Sequence, residues 1–464
     1  MAEHHFDVVV LGAGSGLTAA YHAGEDGKRV AVVEARPDAL GGTCVNRGCI
    51  PTKGLIQVAE VMRTVRTAGQ FGITLDQSSV RPDFGAVMRT IRERRAGDAA
   101  ATRDWVESSF QPFYERARFI DDRVLELASG DRLRGDVVFI TSGARPARPP
   151  IDGLDAIEPW TNEEVLEATA QPATLIILGG GYIGVELGHF FSSIGTWVTM
   201  IDRGDCLTRE DHEIREVFTE HFQSRVTLLR HHQAVRALRD GDASGLVVRD
   251  PNGDERQLFA DRVLVATGRR PNTDGLGLDT TGVELDGDGW IRVDDHLRTT
   301  RAGIYAYGDV IGRAMFKHTS SYEGGIAYRN AQGADLAVSY RANPHAVFSD
   351  PEIAAVGLRE EDCRQRGIAH RVARKPYDSV ARGRIAGSPP GLAKLIVEES
   401  TDRILGFHVV GPHAAELVHE VVVAMNAGDG TAGALREAIH IHPTLSELVA
   451  SVFEAIGQDD DGAR

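Results

Sequence analysis

One pattern occurs twice in this chain and constrains its fold more than any other feature. It is an apolar strand-length run, a glycine-rich turn, a helical stretch, a second apolar run, and an acid where that run ends. The first copy opens with Phe6–Leu11, turns at Gly12-Ala13-Gly14-Ser15-Gly16-Leu17, continues as a helix to Ala23, and closes with Arg29–Val33 and Glu34. The second opens with Thr174–Leu178, turns at Gly179-Gly180-Gly181-Tyr182-Ile183-Gly184, continues as a helix through Ser193, and closes with Trp197–Ile201 and Asp202. Such glycines let the backbone approach a pyrophosphate, and the helix that follows points free N–H groups and a positive dipole end at the phosphates. An acid about 20 residues on accepts hydrogen bonds from a ribose. The interval is 20 residues from Gly14 to Glu34 and 21 from Gly181 to Asp202. One match alone is a weak signal; two, each with strand, helix and acid in order, predict two βαβ dinucleotide-binding units. Leu17 stands where the first copy's third glycine is expected. That glycine serves helix–strand packing, so altered packing with binding retained is expected.

Each unit also has an end marker. Asp136–Thr141 is a predicted strand leading to Ser142-Gly143, and Arg262–Ala266 one leading to Thr267-Gly268. A further strand and turn, Gly303 to Asp309, returns after the second unit, so one nucleotide unit is expected to be inserted in the other. From Asn343 the pattern changes to alternating strands (Ala346–Phe348, Leu392–Glu398, Ile404–Val410) and helices near 414–427 and 445–456. This part is α+β and carries no glycine fingerprint. The end, from Gly457, is expected to fray.

Between the first unit and the second lies GGTCVNRGCIPTK, residues 41–53, with Cys44 and Cys49 separated by four residues. Paired cysteines in an intracellular chain are more often redox or metal groups than staples. A zinc site needs a second pair at ligand spacing, and Cys206 and Cys363 are isolated, so no metal site is expected. A redox pair is the leading reading, with a passive staple as the alternative. Lysine supplies only five of the 51 basic residues, Lys28, Lys53, Lys317, Lys375 and Lys394, which draws attention to Lys53. A formal net charge of -16 argues against nucleic acid as a partner. No run reaches the roughly 18 apolar residues of a membrane span, and a cytoplasmic location is expected.

Taken together, GAGSGL, GGTCVNRGCIPTK, GGGYIGVELG, ATGRRPN, GIYAYGDV and HIHPTLSE resemble the flavin-dependent pyridine nucleotide–disulfide oxidoreductases over essentially the whole chain. Within that family the chain looks most like the dihydrolipoamide dehydrogenases, on GCIP, Asp202 and the doubled histidine of His440-Ile441-His442-Pro443. The resemblance implies an α/β protein with two Rossmann-like domains, one inserted in the other, and a C-terminal α+β dimerisation domain. Its boundaries would be an FAD domain over 1–146, an NAD domain over 147–270, a central domain completing the FAD site over 271–342, and an interface domain over 343–464. It places FAD on Gly12, Gly14, Gly16, Glu34, Gly42, Thr43, Gly143 and Asp309, and NAD on Gly179, Gly181, Tyr182, Gly184, Asp202 and Gly268. Lys53 would pair with Glu186 beside the flavin, and Tyr182 would cover the flavin until nicotinamide displaces it.

A thiolate, not a thiol, attacks a disulfide, so a base is needed near the reacting sulfur. His442 is the candidate, oriented by Glu447 five residues on. By resemblance it serves the disulfide of the second subunit, so a homodimer with shared sites is expected. Cys44 would face substrate and Cys49 the flavin. The implied activity is oxidation of dihydrolipoamide by NAD+, free or on a lipoylated protein of a 2-oxo acid dehydrogenase complex. Asp202 favours NAD by repelling a 2′-phosphate, while Arg203 and Arg209 weigh the other way. The alternatives are a mycothione- or glutathione-type disulfide reductase, and a non-catalytic flavoprotein docking subunit. Mercuric reduction is disfavoured by the lack of a C-terminal cysteine pair.

Overall fold

A computed structural model describes residues 2–461. The run Val8-Val9-Val10 is β-branched and apolar on both faces, which suits the middle of a parallel sheet. All three residues are buried, in a strand over Glu3–Leu11 that pairs in parallel with Val30–Val33 on one side and Arg132–Ile140 on the other. Gln111–Phe113 extends this sheet beyond Val30–Val33. Val124–Leu127 pairs antiparallel with the first half of Arg132–Ile140, and Ile304–Ala306 pairs in parallel with its second half. The chain thus returns to the first sheet some 160 residues after leaving it, as the strand and turn before Asp309 suggested.

The second unit is a four-stranded parallel sheet in the order Thr227–Leu229, Trp197–Ile201, Thr174–Leu178, Arg262–Val265. A three-stranded antiparallel sheet over residues 233–260 packs beside it. The exit and re-entry strands, Ala144–Pro146 and Arg269–Pro271, pair antiparallel and form the bridge between the two units. This is a pair of Rossmann-like domains, one inserted in the other. The C-terminal part is a five-stranded antiparallel sheet, with helices Ala414–Asn426 and Ser446–Asp461 packed on a shared apolar core.

The two glycine turns are built alike. Gly12 and Gly179 have φ of +107° and +112°, and a Cβ on either would fall 2.4 or 2.5 Å from the carbonyl oxygen of Thr141 or Ala266. Only glycine fits both the dihedral and the gap. The third positions differ. In the second turn, Gly184 abuts its own strand, with a Cβ 2.0 Å from Gly179 O. In the first, Gly16 does this work, its Cβ falling 2.3–2.4 Å from Thr141 Oγ1, Gly12 O and Val10 Cγ1. The packing glycine has moved forward by one residue, and Leu17 goes into the core as the first residue of helix Leu17–Glu25. The expected fraying from Gly457 is corrected in part: the helix continues to Asp461, and residues 462–464 lie outside the described residues. Among the described residues no helix is long and apolar enough to cross a membrane.

Candidate redox site

The segment with the two cysteines is pressed against the first glycine turn. Gly42, at φ +67°, approaches Gly14 so closely that a Cβ would lie 2.6 Å from the Gly14 Cα. Cys44 sits in the short helix Gly42–Asn46, and Cys49 is the first residue of the 19-residue helix Cys49–Thr67. Buried Asn46 ties the loop together, donating to Leu40 O at 2.8 Å and Gly42 O at 3.0 Å. Both cysteines are free thiols, the reduced form of a redox pair, and a hydrogen bond joins their sulfurs. That bond lowers Cys49 from 9.0 to about 7; burial opposes the shift and the Lys53 charge assists it. Cys44 is pushed the other way, by the same hydrogen bond and by burial, although the charge of Lys317 counters this. The electrostatics therefore separate the two sulfurs, with Cys49 the readier thiolate. Two of the chain's five lysines stand beside this pair.

Lys53, one turn into the same helix, donates to both oxygens of Glu186 at 2.6 and 2.7 Å. Glu186 is buried on the helix Tyr182–Ser193 that follows the second glycine turn. Its Oε1 also accepts from Phe348 N at 3.1 Å, and the Lys53 ammonium lies 4.5 Å from the Phe348 ring centre. This ion pair links the cysteine helix, the inserted domain and the start of the C-terminal part.

All of this opens into one cavity of about 2350 Å³, well above the ~1,000 Å³ upper end of ordinary ligand pockets. Gly12, Gly14, Glu34, Gly42, Thr43, Gly143 and Asp309 line it from the first domain, and Gly179, Gly181, Tyr182, Asp202 and Gly268 from the second. Gly16 and Gly184 are absent from its walls; they shape the turns from behind. Glu34 accepts from Ala13 N and Arg36 N, each at 3.1 Å, and burial raises its carboxyl. Asp202 accepts from Gly180 N at 2.6 Å and Gly204 N at 2.8 Å. Arg203 and Arg209 face the same cavity. Asp309 is raised by burial, its nearest cation being Arg269 at 3.6 Å. Ser142 Oγ, also on this wall, is buried without a hydrogen-bond partner. One unpartnered hydroxyl and buried carboxylates beside bare glycine backbone fit a ligand rich in hydroxyl and phosphate groups, as a flavin dinucleotide is.

A scan of family models matches residues 6–324 to the pyridine nucleotide-disulphide oxidoreductase domain, and residues 343–452 to the dimerisation domain of the same proteins. This chain belongs to the pyridine nucleotide–disulfide oxidoreductases. These enzymes use FAD and a pyridine nucleotide, and the second match is the family's dimerisation domain. The chain is 33% identical to a mercuric reductase of Streptomyces lividans, over 98% of this chain and 97% of that one. It is also 33% identical to a dihydrolipoyl dehydrogenase of Haloferax volcanii, over 97% and 96%. A mycothione reductase of Mycobacterium tuberculosis is 32% identical, over 97% and 98%. Among solved structures, the HOCl-induced flavoprotein disulfide reductase RclA of Escherichia coli superposes with a TM-score of 0.87 at 27% identity, covering 97% of this chain and all of that one.

The oxidoreductase's proposed base lies elsewhere in the same chain. His442 Nδ1 lies 2.8 Å from Glu447 Oε1, which accepts from it, and Glu447 Oε2 accepts from Thr444 N at 3.1 Å. The Glu447 carboxyl is held low first by His442 and then by that amide. The His442 side chain is 70% exposed and is not on the wall of the cavity that holds Cys44. Ile439 and Ile441 beside it are strongly exposed. His440 is instead turned inward, 3.2 Å from Glu420. Sequence reasoning did not place four further residues on the cavity or against its wall: Glu210, which bonds Tyr182 at 2.5 Å, and His345, Phe316 and Lys317, which line it. Of these only Lys317 carried a signal, its rarity.

Proposed function

We propose that this flavoprotein oxidises dihydrolipoamide with NAD+, electrons passing through the Cys44–Cys49 pair. The carrying observation is the convergence of Cys44 and Cys49 with the Lys53–Glu186 pair, between two glycine turns, in one cavity. In the reaction, His442 of a second copy takes a proton from one substrate thiol, with Glu447 fixing its tautomer and stabilising the imidazolium. The substrate thiolate attacks Cys44 Sγ of the oxidised pair. The bond to Cys49 breaks, and Cys49 leaves as a thiolate beside Lys53. The second substrate thiol then attacks the substrate sulfur bonded to Cys44, closing the lipoamide ring; the bond to Cys44 breaks, and Cys44 takes up the proton that this thiol gives up. FAD, when bound here, would supply the acceptor for that electron pair and the hydride chemistry toward NAD+. Glu34 and Asp309 would hold it through hydroxyls, and the turn at Gly12 through its pyrophosphate. Asp202 supports NAD over NADP, and equal rates with NADPH would overturn that assignment.

Relatedness to a mycothione reductase over nearly the full chain, at the same level as to a dihydrolipoyl dehydrogenase, favours one second reading: reduction of a low-molecular-weight disulfide by NAD(P)H. Turnover of the purified, flavin-loaded protein on dihydrolipoamide, mycothione and glutathione disulfide separates the two. Activity on a disulfide with none on dihydrolipoamide replaces the first reading with the second. A colourless protein that takes up no FAD ends both.

A further inference from the structure

Tyr182 is held in place from two domains. Its phenol donates a 2.5 Å hydrogen bond to Glu210 Oε1. The same carboxylate meets His345 Nε2 at 2.9 and 3.1 Å. None of the Glu210 side chain is exposed. The Tyr182 ring stacks on His345, centroids 5.9 Å apart at 15°, and on Phe316, 6.1 Å apart at 26°. Tyr182 begins the helix after the second glycine turn, and Glu210 precedes helix His212–Phe222 in the same inserted domain. His345 is on strand Pro344–Val347 of the C-terminal sheet.

Stacking alone would position a ring that merely fills space. A carboxylate with no solvent contact is costly to bury unless donors compensate it. Burial works against the charged Glu210, yet the hydrogen bonds from His345 and Tyr182 outweigh it and hold the carboxyl below its usual range. The anion therefore persists as a fixed acceptor aimed at the one phenol that lines the nucleotide turn.

We propose that Glu210 and His345 are positioning residues that latch Tyr182 shut, so that a pyridine nucleotide reaches the flavin side only by breaking the phenol–carboxylate hydrogen bond. This rests on the reading that Tyr182 covers the flavin. With the ring swung away, Glu210 keeps His345 and loses its second donor, which draws the ring back when the nucleotide leaves. A latched cover lowers the open fraction, and the apparent nucleotide affinity falls with it. A hydrogen bond to a charged group corresponds to roughly ten- to a hundredfold in such an equilibrium.

The test uses the flavin-loaded dimer carrying Glu210→Gln, Tyr182→Phe, the two combined, and Tyr182→Ala. Nucleotide KM, kcat and flavin fluorescence are read, with melting temperature and flavin content as folding controls. Glu210→Gln and Tyr182→Phe are each expected to lower nucleotide KM about tenfold, shifting KM more than kcat. The double variant goes no lower than the singles, because both act through one bond. If Glu210→Gln does not fold, His345→Gln takes its place. An unchanged KM in Glu210→Gln, or effects that multiply in the double variant, overturn the latch. In that case a shift of KM and fluorescence in Tyr182→Ala leaves the cover reading standing, whereas no shift there ends it too.

Discussion

At the scale of single residues, the sulfur pair is asymmetric before any substrate arrives. Cys49 is lowered from 9.0 to about 7, first by the hydrogen bond from Cys44 and, against burial, by Lys53. A depressed acid is charged above its folded value and loses that charge as pH falls through it. The thiolate-to-flavin absorbance of the two-electron-reduced enzyme is therefore expected to titrate near pH 7, bleaching on the acid side. Lys53→Met removes a lowering charge and moves that midpoint upward; a midpoint that stays in place shows that Lys53 does not set it. The cysteines, Lys53 and Glu186 were legible in the sequence because they sit in a contiguous motif or a helix tied to one. Glu210 was not legible. In the string Thr208-Arg209-Glu210-Asp211-His212 it reads as one more solvent acid, and its partners Tyr182 and His345 are far off along the chain.

At the scale of elements, the two glycine turns separate folding from binding. A Cβ at Gly184 would lie 2.0 Å from Gly179 O, whereas nothing comes within 4 Å of one at Gly181. Gly184→Ala is therefore expected to destabilise the protein by about 1–3 kcal/mol, as overpacking does, and to lower the melting temperature. Gly181→Ala keeps the melting temperature and raises the nucleotide KM, since its methyl group points into the cavity wall where a pyrophosphate would lie. If both variants melt alike, the distinction fails. Three of the four strands of the second sheet matched the sequence reading closely because they are short, apolar and bounded by turn residues, whereas Thr227–Leu229, three residues long, was not read. The first strand began earlier than read, at Glu3, because its pairing with Arg132–Gly135 orders a polar segment whose side chains carry no strand signal. The packing glycine was misplaced because a spacing rule assumes one turn length, and this turn is a residue shorter.

At the scale of the whole molecule, one buried charge cluster fastens the inserted domain to the C-terminal sheet. Lys394, 1% exposed, meets Asp211 at 2.9 Å, Glu213 at 2.8 Å and Glu360 at 2.7 Å. Lys394→Met would leave these acids without their shared cation, and a loss of about 3–5 kcal/mol is expected, read by chemical denaturation. Glu213 is lowered from 4.5 to about 2, first by the hydrogen bond from Arg374. Its contribution is present above 4.5 and lost as pH falls toward 2, so this junction weakens in acid. The dimer gives a further prediction. Chains carrying Cys44→Ser mixed with chains carrying His442→Gln should regain activity in heterodimers, one site of which is intact. No recovery would mean that each copy supplies its own base. The inserted architecture was readable from repeated motifs, but the buried cluster was not, since nothing local pairs residues about 180 positions apart.

The scarcity of lysine has a practical side. Lys394 is enclosed, Lys28 is exposed, Lys375 is half-buried, and the remaining two amines, Lys53 and Lys317, sit by the sulfurs. A general acylating reagent thus meets few competing amines on this protein. Apart from Lys28 and Lys375, the amines such reagents can reach are those beside the sulfurs, and bound nucleotide or flavin should shield these two.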